Sequence, residues 1–146
     1  MGEFKSVKNI FIREIPKEKL YLLNALIENG IEVEIQGENT LEWAIKNNDE
    51  EIVRQLVSTM DITRDNNKAI RLATQFSNEV IVKMILDAGA DVTVNDNEPL
   101  INAIKKRKPE IVKLLLAAGA NPTARNNLPI LLASQYGNTQ IFKMLV

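Results

Sequence analysis

Apolar and turn residues recur in this chain at an interval of 30 positions, and that interval constrains the fold more than any single motif does. Gly89 returns as Gly119, Pro99 as Pro129, Ala103 as Ala133 and Ile111 as Ile141. Ala73 precedes Ala103, and Ile81 precedes Ile111, by the same distance. One register held across most of a chain marks a repeat protein. Each repeated unit is a supersecondary element that buries its apolar face only against a neighbour.

The best preserved stretch runs from Asp87 to Thr123. It carries Gly89-Ala90-Asp91-Val92-Thr93, then Pro99-Leu100 and Ala103, then Glu110-Ile111-Val112 with Leu114 to Leu116, and closes on Gly119-Ala120. The following unit offers Pro129, Ile130, Ala133, Gly137 and Ile141 to Leu145. These spaced residues resemble the ankyrin repeat, in which a Pro-Leu opening to a first helix is followed by a second helix and a Gly-Ala exit. The resemblance implies an all-α solenoid of stacked helix-turn-helix units with short loops. Two departures are visible. The family period is about 33 residues, so these units are about three shorter, and the gap falls between Gly89 and Pro99, which calls for a tight loop. The family histidine of the first helix is absent from every unit.

In this frame the chain is one domain, 1–146. Residues 1–38 form a degenerate capping unit, 39–67, 68–97 and 98–127 are repeats, and 128–146 is an incomplete terminal repeat. Residues 1–9 are polar and read as loose. Ile10, Phe11, Ile12 and Ile15 form a β-rich apolar cluster stopped by Pro16. A helix is expected from Pro16 or Lys17, with Leu20, Leu22, Leu23, Leu26 and Ile27 on its apolar face and Gly30 at its end. The loops Arg64 to Asn67, Asn95 to Asn97 and Arg125 to Asn127 are rich in Asn and Asp, which accept tight-turn backbone angles and bond their own backbone.

Composition narrows function by exclusion. The chain has no Cys and no His, which removes thiolate chemistry, most zinc sites and imidazole catalysis. No Gly-rich phosphate loop or paired carboxylates appear, so the reading is no enzyme, no cofactor and no metal. No apolar run approaches the roughly 18 residues of a membrane span, and the first residues lack a secretory apolar block; a cytoplasmic or nuclear location is expected. Net charge is −1, yet residues 1–60 hold 7 basic and 11 acidic side chains, and residues 98–146 hold 7 and 2. The stack is therefore polarised in charge.

What remains is recognition. In the resembled family the loop tips and the last turn of each first helix form one concave surface that binds proteins. The matching residues are Asn66, Gln75, Phe76, Asn95, Asp96, Lys105, Lys106, Arg107, Arg125, Asn126, Gln135 and Tyr136. Phe76 and Tyr136 either anchor a partner or fold back onto their own turns. The run Lys105 to Lys108 faces an acidic partner protein, a phosphate backbone or an import receptor, or is a solvated helix end; bulk charge argues against nucleic acid. Trp43 is expected to pack against the leading helix or to serve as a concave hot spot. Asp49, Glu50 and Glu51 start a helix rather than hold a metal. The last unit stops before its exit, so Ile141, Phe142, Leu145 and Val146 form an open apolar face, available for self-association as a homodimer or for a larger assembly. The short Asn- and Ile-rich units also resemble ankyrin proteins of large DNA viruses and intracellular bacteria, which implies a host protein as partner.

Overall fold

The computed structural model describes residues 9–13 and 20–146. The looseness expected of the first residues and the helix start at Pro16 or Lys17 lie outside the described residues. Strand β1 (Asn9–Ile12), helix α1 (Leu20–Glu28), and strands β2 (Glu32–Ile35) and β3 (Glu38–Asn39) lead the chain. Four helix pairs follow. They are α2 (Thr40–Lys46) with α3 (Glu50–Leu56), α4 (Arg64–Phe76) with α5 (Glu79–Asp87), α6 (Val94–Lys105) with α7 (Pro109–Ala117), and α8 (Ala124–Gln135) with α9 (Thr139–Leu145).

First helices pack on first helices and second on second, so α2, α4, α6 and α8 form one row, and α3, α5, α7 and α9 another. The fully buried side chains trace the seam between the rows: Ile45, Leu56, Ile70, Ile81, Ile85, Leu100, Ile104, Leu115 and Ile141. Each contributes about 1.5–3 kcal/mol through removal from water. No unit supplies more than three of them, so their burial depends on the neighbouring units. The all-α repeat solenoid that the resemblance implied is what the chain adopts.

The leading end adds something the repeat pattern did not contain. β1 pairs parallel with β2, Asn9 opposite Glu32 through Ile12 opposite Ile35, and β2 pairs antiparallel with β3. Val33 and Ile35 point into the core while Glu32 and Glu34 point away, the alternation a half-buried strand requires. Gln36 and Gly37, both at positive φ, make the two-residue hairpin turn between β2 and β3. Thr40 Oγ1 then donates to the Val33 carbonyl at 2.8 Å and locks this sheet to α2. The small sheet thus caps the stack.

Side-chain caps explain the starts of α2, α3, α5 and α9. Asn39, Asp49, Asn78 and Asn138 each accept a backbone N–H three residues on, satisfying a donor that the helix leaves free. Asp49 therefore has a structural task, and Glu50 accepts from Asn78 Nδ2 at 2.8 Å in the next unit. α7 lacks such a side-chain cap and begins with Pro109, whose missing N–H needs no acceptor. Gly89 and Gly119 exit their helices at φ of 100° and 101°, a backbone conformation that suits glycine.

The shortened loops solve their geometry in an unusual way. Three residues in succession are left-handed in each of them, interrupting the right-handed path just inside the starts of α4, α6 and α8: Asp65-Asn66-Asn67, Asn95-Asp96-Asn97 and Arg125-Asn126-Asn127, with φ between 50° and 66°. Such a run costs an ordinary residue about 1–2 kcal/mol per position, and Asn and Asp tolerate it best. The third residue does more than tolerate it. Asn67 Oδ1 accepts the Asp91 N–H at 2.9 Å, and Asn97 Oδ1 accepts the Asn121 N–H at 2.7 Å. These side chains brace the exit of the following unit, where the sequence suggested bonds to their own backbone.

Candidate inner-face binding site

The loop tips make contact with one another. Asn66 Nδ2 donates to Asn95 Oδ1 at 2.6 Å, and Asn95 Nδ2 donates to Glu98 at 2.6 Å. Glu98 in turn receives Arg71 Nε at 3.1 Å. Burial pushes the Glu98 carboxyl up, but the Asn95, Arg71 and Asn102 donors together outweigh it and hold the group below the ordinary carboxylate range. Arg125 reaches back to the Asp96 carbonyl at 3.0 Å and the Asn95 carbonyl at 2.5 Å. Asn66, Asn95, Asp96 and Arg125 are thus exposed but linked into one strip across units; Asn126 is exposed beside them. At the unit exits Asp61 and Asp91 accept from the hydroxyl and then the N–H of Thr63 and Thr93, which lowers both carboxyls below their usual range.

The inner turns, where each first helix meets its second, carry the other expected residues. Phe76 is 47% exposed, whereas Tyr136 at the corresponding place is half-buried and packs against the core. The Arg107 guanidinium lies 5.4 Å from the Tyr136 ring centroid, within the range of a cation–π contact. Gln75 is half-buried with its amide toward the Arg71 carbonyl at 3.4 Å, and Gln135 is exposed. Trp43 is half-buried and packs against the core.

The basic run divides by role. Lys108 Nζ donates to the Ser77 carbonyl at 2.9 Å and the Gln75 carbonyl at 3.5 Å, placing its charge at the negative end of α4. Burial, and after it the Lys106 charge, hold the Lys108 ammonium below the ordinary lysine range. Lys105, Lys106 and Arg107 are exposed, and no described carboxylate lies within 4.0 Å of them. Other cations of the first helices and loops are matched: Lys46 by Glu38, Arg64 by Asp65, Lys68 by Glu42, Arg71 by Glu98 and Arg125 by Asp96.

One expectation needs correction. Ile141 and Leu145 do not belong to an open face, because they turn inward onto α7 and are 0% and 9% exposed. Phe142 and Val146 are exposed, at 37% and 79%. Leu131, 60% exposed, joins them on the last unit and was not singled out from sequence, although it lies 30 residues after the buried Ile101.

Paired helices, glycine exits and one side of short loops define a helical solenoid built for display of side chains. Two family models match the chain: ankyrin repeats in three copies over residues 15–96, and an ankyrin repeat over residues 95–127. The chain belongs to the ankyrin repeat family, whose repeats are general protein–protein interaction modules. Curated proteins give no match. Among the described residues no helix is long and apolar enough to cross a membrane.

Proposed function

We propose that this ankyrin stack is a non-catalytic binding module that holds a partner protein on its concave side, against an acidic patch of that partner. The observation that carries this reading is the contrast among cations: Lys105, Lys106 and Arg107 are exposed without a carboxylate, while their neighbours on the same side are paired. Unpaired like charges held side by side favour an approaching surface of opposite sign and speed encounter with it. Phe76, beside them, supplies the exposed aromatic on which binding energy concentrates.

Affinity purification with the intact chain, followed by mass spectrometry, tests the proposal. The native chain is expected to retain a protein that the Lys105→Glu/Lys106→Glu variant loses, with an affinity drop of about tenfold or more and a marked salt dependence. Equal retention by both would overturn it.

A second reading rests on the last unit, where Leu131, Phe142 and Val146 are each exposed. Apolar side chains bared at the end of a stack favour association with another copy. Light scattering that finds a monomer at high protein concentration ends that reading.

A further inference from the structure

Three successive inner turns carry Phe76, Lys106 and Tyr136 at one repeat position, each 30 residues from the next. Contacts between turns hold them in a row. Lys108 ties the third unit's turn to the second through the Ser77 and Gln75 carbonyls. Arg107, over the Tyr136 ring, ties it to the fourth. Lys108 is thereby committed to the scaffold and Arg107 is oriented by the ring. Lys105 and Lys106 are left exposed, one layer along from the exposed ring of Phe76.

The spacing of that row sets the register of whatever binds it. Packed helices lie about 8–10 Å apart. An extended chain advances about 3.3 Å per residue and crosses one layer in about three residues. A helix, rising about 1.5 Å per residue, needs about seven. A long nucleic-acid backbone is disfavoured by the exposed carboxylates of Asp61 and Asp91 at the unit exits.

Resting on the protein-binding reading above, we propose that the partner contributes an extended acidic segment that runs across the units. It seats an apolar side chain on Phe76 and a pair of carboxylates, about three residues away, on Lys105 and Lys106.

Fluorescence anisotropy with the full chain and short labelled peptides tests this register. In a Gly-Ser background, one set carries Leu three residues from a Glu-Glu pair, in both orders. Other peptides place Leu adjacent to the pair, place it seven residues away, or omit it. A single-stranded oligonucleotide of similar length serves as a different polyanion. One order of the three-residue spacing is expected to bind about fivefold or more tighter than every other probe. Phe76→Ala should erase the advantage of Leu, and Lys105→Glu/Lys106→Glu should weaken all acidic peptides about tenfold or more, both variants retaining native circular dichroism. Indifference to spacing, preference for the seven-residue peptide, tighter binding of the oligonucleotide, or no binding of any probe would overturn the proposal. A partner captured by the native chain and lost on charge reversal, in the absence of any spacing preference, would reject the register and leave the binding face standing. Capture insensitive to charge reversal would reject both.

Discussion

Asn97→Ala is expected to destabilise the chain by about 2–4 kcal/mol, a large effect for a loop residue. Two losses add. The Asn121 N–H, now held at 2.7 Å by the Asn97 amide oxygen in a part-buried bond, loses its acceptor. That leaves an unmatched donor costing about 1–3 kcal/mol. Alanine must also adopt φ near 63° without asparagine's tolerance for it, a further cost of about 1 kcal/mol. Asn97→Gly removes the acceptor but relaxes the backbone, so it should fall about 1 kcal/mol short of the alanine variant. Asn97→Asp keeps an acceptor oxygen and should lie nearest the native chain. Urea denaturation of the three variants resolves these terms. A loss below about 0.5 kcal/mol for Asn97→Ala would mean that the bond between loops does not hold the units together.

That interaction marks where the sequence stops being legible. The apolar faces and the glycine exits depend on neighbours a turn or two away, and together with the 30-residue register they point to a repeating stack of helices. The Asn-rich loops announce left-handed turns for the same local reason. Which N–H the third Asn accepts depends on a residue 24 positions further on, brought close only by stacking. Lys108 is similar, since its carbonyl acceptors lie 31 and 33 residues back. The sheet at the leading end escaped for another reason. Glu32 to Ile35 alternates over only four residues, too short a run to set strand against helix, and its partner β1 is separated from it by a whole helix. For the candidate site, the residue positions were readable but their burial was not. Phe76 and Tyr136 share one repeat position, yet Arg107 lies over the second ring and, among the described residues, no cation–π contact covers the first. Ile141 and Leu145 were misjudged because periodicity reports an apolar stripe without saying whether it meets the preceding layer or the following one.

That last distinction can be measured at one repeat position. Ile101 and Leu131 lie 30 residues apart, on α6 and α8, and are 2% and 60% exposed. The difference is that α8 lies on α6. Ile101→Ala is expected to cost about 2–4 kcal/mol, because it removes buried methylenes and leaves a cavity between layers. Leu131→Ala should change stability by less than about 1 kcal/mol in dilute solution, since little apolar surface is lost from the interior. Equal costs would contradict a stack in which each layer is covered by the next, and would instead require a core shared by all units. Concentration adds a second reading of the same variant. If copies associate through the last unit, the native chain gains stability as its concentration rises and Leu131→Ala does not, so the gap between them widens. A gap that stays constant leaves Leu131 in solvent and removes the support for association through it.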